Sequence, residues 1–361
     1  MLTEVFHSSG LDPRPEPRHG YTSYEDVASI DPLELDQQMR HLPGLNSRAD
    51  VEAIWEGAAD AVTRAEALPT LTPALALAAL RDLDFLSSSI LRHGQQPLEI
   101  VPGLEAQLLR MGESANTPPR MTLFTYTVAN PEGERRRSFT GTEEETVFID
   151  SLARSVVALD GTVENMAQAN FYSDGNLQGT LGIASQTVDV MIDSIIEVKR
   201  KIMPQLFTFQ IRPYFEPLVI GEQTIPAASG AQMQFLALDR MLWGCDDDDP
   251  AYQVYFEENY PYLTPVQKDT LDIFLKHNGG RSIVGLLSEK LVDFPDSIEV
   301  ATGILKKMRK FRYAHRQVAR QNFSLRPNGA TGSGTYSPAI LDILLERTEA
   351  SIVKLRNTTT G

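Results

Sequence analysis

From about residue 31 onward, apolar residues recur at spacings of three and four along most of the chain. That is the periodicity of helices that bury one face. Asp31-Pro32-Leu33-Glu34 has the form of a capping box with proline at the first helical position, and Ile30 and Leu35 flank it at staple spacing. These signals predict a helix from Asp31 into Leu42, stopped by Pro43-Gly44. A second helix is predicted over about 48–67, with Val51, Trp55, Ala58 and Val62 on its buried face. Thr72-Pro73 opens a third, which His93-Gly94 closes. Long amphipathic patterns follow at about 143–169 and 177–203, the latter ending before Pro204. Further helices are predicted over about 231–243, from Thr264-Pro265 to Gly279-Gly280, from near Asp296 to about Phe323, and from about Pro338.

Between these lie segments of other character. Residues 1–22, with Pro13, Pro15 and Pro17, read as an extended arm. Residues 121–129 are β-prone by propensity. The segment from Glu132 to Gly141, with Arg135-Arg136-Arg137, reads as a solvated loop, and Leu218 to Ile225 around Gly221 as a short hairpin. Asp246 to Asp249 reads as a solvated acidic turn, since it lacks the alternating ligand spacing of a calcium loop. No repeat or low-complexity linker interrupts residues 30–355. The expected architecture is therefore all-α (mainly α), with a partly extended N-terminal arm over residues 1–30 and one helical domain over 31–361.

Composition narrows the picture. A chain of 361 residues with 42% hydrophobic residues can bury a sizeable core without staples. Its single cysteine, Cys245, excludes an intramolecular disulfide. A formal charge of −15 opposes binding to nucleic acid, whose phosphates would be repelled. The longest apolar run, within Ala74 to Leu80, is too short to span a bilayer. Met1 to Gly10 lacks a basic segment followed by an apolar one. A cytoplasmic protein without membrane contact is expected, and its oligomeric state is left open.

The candidate chemistry sits on the 296–323 helix. Ile304, Met308, Phe311, His315, Val318 and Asn322 share one inward face, while Lys306, Lys307, Arg309, Lys310, Arg312, Arg316 and Arg320 occupy the others. His315 is open to two readings. It is either a satisfied core histidine on a helix with a solvated basic side, or a neutral imidazole placed to ligate a haem iron, with basic residues near the propionates. Spacing does not decide between them. A haem would be held without covalent attachment, because the cysteine pair of c-type sites is absent.

A wider pattern bears on the choice. Phe311-Arg312-Tyr313-Ala314-His315-Arg316, then Val318 and Arg320, precede Gly329-Ala330-Thr331-Gly332-Ser333-Gly334. This resembles the proximal-histidine helix and glycine-rich loop of the tryptophan 2,3-dioxygenase and indoleamine 2,3-dioxygenase superfamily. Leu42-Pro43-Gly44-Leu45-Asn46, Arg92-His93-Gly94, Val101-Pro102-Gly103-Leu104-Glu105 and Pro118-Pro119-Arg120 extend the likeness. So do Arg137-Ser138-Phe139-Thr140-Gly141, Arg212-Pro213-Tyr214-Phe215-Glu216-Pro217, Leu242-Trp243-Gly244 and Gly332 to Pro338. In this order, over roughly residues 31–345, the pieces resemble the monodechloroaminopyrrolnitrin synthase branch of that superfamily.

The resemblance implies an indoleamine 2,3-dioxygenase-like helical domain enclosing haem b (iron protoporphyrin IX), with His315 as the iron ligand and Arg312 and Gly332 beside the cofactor. Arg212 would hold a substrate carboxylate, a role suited to a planar guanidinium, although a surface arginine paired with Glu216 is the plainer reading. Ser333 is implied as the catalytic-site serine that hydrogen-bonds the substrate's amino-acid head. Ser229 and Gly230 match a small-residue loop on the substrate side, with an ordinary helix start as the rival reading. Ser151 falls near a distal-pocket serine, with a helix-surface serine as its rival. Phe323 stands in the substrate region where these synthases carry a tyrosine, and Tyr313 replaces a small residue beside the histidine. His93, at a helix end before Gly94, reads as a cap rather than a distal base.

The implied activity is a haem-dependent oxidation of tryptophan or a substituted tryptophan in secondary metabolism. Dioxygen or peroxide would be the oxidant, and an electron donor is allowed for. Ring rearrangement, ring cleavage to N-formylkynurenine and ring monooxygenation remain alternatives. So does a non-catalytic haem-binding protein on the same fold.

Overall fold

Most helices begin where a side chain caps them. In a computed structural model that describes residues 22–168, 177–289, 295–327, 331–332 and 334–360, Ser23 caps α1 (Tyr24–Ser29) through a reciprocal capping box with Asp26. Then come α2 (Asp36–Arg48), α3 (Val51–Ala67) behind Asp50, and α4 (Pro73–Arg92). Thr72 accepts from Leu75 N and Pro73 occupies the first turn of α4, as the sequence predicts. Next are α5 (Leu104–Ala115), α6 (Glu143–Gln168) and α7 (Leu177–Lys201). Strands β1 (Leu218–Ile220) and β2 (Gln223–Ile225) pair antiparallel, Leu218 opposite Ile225, as the predicted hairpin. The chain continues through α8 (Phe235–Leu242), α9 (Pro250–Asn259), α10 (Pro265–His277), α11 (Ile283–Ser288), α12 (Pro295–Phe323) and α13 (Ala339–Thr360). The all-α expectation holds: this hairpin is the one sheet among the described residues.

Of the expected arm over residues 1–30, residues 1–21 lie outside the described residues, and its end carries α1 with Val27 buried. Several local expectations do not hold, each because tertiary contacts override a local signal. Asp31 does cap backbone, accepting from Leu35 N (2.9 Å) and Asp36 N (2.8 Å), but the helix starts only at Asp36, after a turn with Glu34 at φ 53°. That helix also runs through Pro43 to Arg48. Asn46 anchors its far end, donating to Ser89 Oγ (3.1 Å) and the Phe139 carbonyl (2.9 Å), and this offsets the backbone bond that proline removes. On α3 the buried face is Ile54, Ala58, Ala61, Val62 and Ala65, whereas Trp55 is exposed, its indole donating to the Ile100 carbonyl.

The β-prone segment forms a helical turn instead, Leu123–Tyr126, capped reciprocally by Thr122 and Thr125. Among the described residues no strand pairs with it. The arginine run is not a solvated loop. Arg137 is fully buried and pairs with Asp82 (2.8 Å) and Asp36, and Arg135 also meets Asp36 (2.6 Å). The acidic turn is likewise used structurally: Asp246 pairs with Arg281 (2.9 Å), and Asp249 caps α9 and pairs with Arg347. Nearby, the half-buried Cys245 donates its thiol to the Arg240 carbonyl (2.9 Å).

Two clusters of buried side chains divide the molecule. One gathers α2 to α5 with the hairpin, and the other gathers α6 to α13. Helix α7 packs between α6 and α12, and α13 lies along α12. Among the described residues, no helix is long and apolar enough to cross a membrane.

Candidate active site

Where the two clusters meet, they leave a cavity of about 300 Å³. Tyr126, Phe148, Phe207 and Phe215 line it from the first side, and Met191, Phe235, Tyr255, Phe311 and Leu344 from the other. Its wall is mainly apolar, with a few polar groups, the form of a site for a sizeable organic ligand.

His315 stands on that wall, on the inward face of α12. Its ring packs near Phe311, with centroids 5.9 Å apart, and neither nitrogen has a hydrogen-bond partner among the described residues. Burial, with the Arg312 charge beside it, pushes its pKa down to about 4, so the imidazole is neutral at pH 7. A neutral imidazole with an uncommitted lone pair is what a haem iron asks of a protein, since the porphyrin brings the remaining nitrogen ligands itself. Among the described residues no three of His, Cys, Asp and Glu gather to hold a bare metal ion. The apolar walls and the single free imidazole fit a haem.

Arg312 borders the cavity beside His315, but it is not on a solvated face. Its guanidinium is buried, pairs with Asp239, and donates to Thr348 Oγ1 and the Leu344 carbonyl (3.2 Å). The rings of Phe235 and Trp243 lie against it. Its charge is therefore already matched, and its place on the cavity wall comes from fixing α12 to α8 and α13.

Arg212 lies just after a π-helical turn, Phe207–Ile211, a local widening that is frequent at functional sites. It is buried and lines the cavity. Its guanidinium reaches Glu216 (3.0 Å) and the Thr331 carbonyl (3.4 Å), while Nε is buried without a partner among the described residues. Burial lowers its pKa, and the nearby Arg326 acts in the same direction. Arg212 is therefore not a surface arginine: it has the Glu216 partner and it also borders the cavity.

The small-residue loop and the glycine-rich loop come together here. Ser229 caps the turn Gly230–Gln232 through Ala231 N, and it borders the cavity with Gly230. A Cβ on Gly230 would meet nothing within 4 Å. At Gly334 a Cβ would fall 2.8 Å from Ser229 Oγ, so a side chain there would have to push that hydroxyl aside. Gly332 borders the cavity beside Phe323, which closes the end of α12. Ser333 lies outside the described residues.

Ser151 also borders the cavity. It is buried rather than on the helix surface, and it accepts from Arg154 (3.2 Å). His93 lies elsewhere: it ends α4 and its ring meets Asn46 (3.3 Å), consistent with a capping role. Tyr313 points away to Glu349 (3.1 Å) and is exposed.

Residues 70–279 match the family model for monodechloroaminopyrrolnitrin synthase PrnB. The chain belongs to that family. Within the matched stretch of this PrnB-family protein lie Ser151, Arg212, Ser229 and Gly230; His315, Phe323 and Gly332 lie beyond it.

Among the polar wall residues, Ser155, Ser194 and Arg326 escaped the sequence reading. Ser155 and Ser194 join Ser151 as a hydroxyl patch between α6 and α7, and Ser194 Oγ is buried without a partner among the described residues. The spacing of Ser151 and Ser155 by four, and of Met191, Ser194, Ile195 and Val198 by three and four, was their only signal. Arg326 lies just before the glycine-rich loop and gave no periodic signal at all.

Proposed function

We propose that this chain is a haem b-dependent oxidoreductase acting on tryptophan or a substituted tryptophan in specialised biosynthesis. The observation that carries this reading is the neutral, unpartnered His315 imidazole on the wall of an apolar cavity, in a chain of the PrnB family. Residues 31–361 serve in this reading as one helical domain, with the cavity between its two cores.

His315 would hold the cofactor, and Phe235, Phe311 and Leu344 would pack on its faces. The haem, when bound, supplies the oxidising chemistry on dioxygen or peroxide. The chain supplies position. Arg212 holds the substrate carboxylate by a charge-assisted bond, and the loop of Gly332 and Ser333 holds the amino-acid head. Ser151 and Ser194 offer hydroxyls to the polar end of the pocket, and the apolar walls exclude water. Phe323 lacks the hydroxyl of the tyrosine expected there, so the pocket discriminates against a substrate group that needs that donor. We read the main reaction as a specialised oxidation rather than ring cleavage to N-formylkynurenine.

The test is spectroscopic. The purified protein is expected to show a Soret band that His315→Ala shifts or abolishes. An unchanged ferric spectrum at full haem occupancy in that variant would remove His315 as the ligand. In parallel, mass spectrometry of incubations with tryptophan and chlorotryptophans identifies the product, and efficient conversion of L-tryptophan to N-formylkynurenine would move the protein to ring cleavage.

A further inference from the structure

We propose that Arg326 and Arg212 form one two-guanidinium carboxylate site, in which the Glu216 side chain is an internal stand-in that a ligand carboxylate displaces. This rests on the reading that Arg212 faces the ligand, and it adds a residue and an exchange step to it.

Among the described residues, every charged side chain on the cavity wall is cationic: Lys199, Arg212, Arg312 and Arg326. In a chain of net charge −15 that segregation points to an anionic ligand. Arg312 is neutralised by Asp239, and Lys199 donates to Gln317 near solvent. The other two converge. Arg212 and Arg326 both reach Glu216 Oε1, at 3.0 and 3.5 Å, and both donate to the Thr331 carbonyl, at 3.4 and 2.6 Å. Among the described residues, two guanidinium groups against one carboxylate leave a positive charge unmatched, and Arg212 Nε keeps an unused, buried donor.

The exposures set the direction of exchange. The Arg212 side chain is 6% exposed and fixed, whereas Glu216 is 42% exposed and can turn out into water. Arg326 gives its short bond to a neutral carbonyl and its long one to Glu216, so its charge is only loosely matched and a better-placed carboxylate can compete with Glu216 for it. The carboxylate could come from an amino-acid substrate or from a haem propionate, and the chemistry of recognition is the same.

The test compares wild type, Arg326→Leu, Arg212→Leu and Glu216→Gln, with melting curves to confirm folding. Calorimetry measures binding of L-tryptophan against L-tryptophanamide, and absorbance titration measures haem against haem dimethyl ester. Arg326→Leu is expected to weaken the carboxylate form of one pair roughly tenfold to a hundredfold and to leave its neutral form nearly unchanged. Glu216→Gln is expected to strengthen the same carboxylate form about twofold to fivefold, a sign that mere loss of a structural tie would not produce. A change in the tryptophan arm identifies the substrate as the source, and a change in the haem arm identifies the propionate. Weakening by Arg212→Leu alone would overturn the pair and leave the Arg212 reading standing. A wild-type protein that binds neither tryptophan nor haem would overturn both.

Discussion

At Asp160 three neutral donors meet one buried carboxylate. Gln267 Nε2 (2.9 Å), Tyr24 OH (2.9 Å) and Gln234 Nε2 all donate to it, and no cation is among these partners. Burial pushes its pKa up to about 6, and the three hydrogen bonds restrain the rise. The native carboxyl therefore holds its proton at a pH where the unfolded one, near 3.8, has lost it. Its stabilising contribution is full below about pH 4 and is lost as pH rises through 6. Asp160→Asn should accordingly gain stability relative to wild type as pH rises, by on the order of 1–3 kcal/mol above pH 6. Urea unfolding of both proteins at pH 5 and pH 8 checks this, and a difference independent of pH would count against it. None of this was legible in the sequence. Tyr24, Asp160, Gln234 and Gln267 are each ordinary polar residues until α1, α6, α8 and α10 bring them together.

Elements were legible where one helix's own residues decide the matter. Thr72-Pro73 and Thr264-Pro265 mark true helix starts, and the long patterns that became α6, α7 and α12 kept nearly their predicted limits. Segments whose state is set by distant partners were misread. Arg135 to Arg137 has the composition of a solvated loop, yet Asp82 on α4 and Asp36 on α2 draw Arg137 fully inside. Residues 121–129 have strand propensity, but Thr122 caps a helical turn there. Arg137→Leu should leave Asp82 with Arg81 as its remaining buried cation and cost about 3–5 kcal/mol of stability. A denaturant midpoint close to that of wild type would show that the pairing is dispensable.

At the scale of the molecule, the candidate site is a product of convergence. Segments near residues 148–155, 191–215, 228–236, 311–326 and 332–344 reach one cavity between two cores. Periodicity placed His315 on the inward face of α12, but it could not tell a core histidine from a ligand. Motif resemblance favoured the ligand reading, and the residues it named, Arg212, Ser229, Gly230 and Ser151, stand with His315 on the cavity wall. It placed Arg312 beside the cofactor but could not show its partner, because Asp239, the acid it pairs with, sits on another helix. It gave nothing for Arg326, whose meaning arises only when Glu216 and Thr331 stand beside it.

The thiol of Cys245 bears on the durability of such a molecule. Burial pushes its pKa up to about 12, and its hydrogen is already given to the Arg240 carbonyl. At pH 7 roughly one such thiol in a hundred thousand is ionised, and the thiolate is the form that peroxide attacks. Under the oxidative chemistry proposed above, the chain's only cysteine is therefore a poor target. The protein can work beside a strong oxidant without its own sulfur climbing the ladder to sulfenic and sulfinic acid.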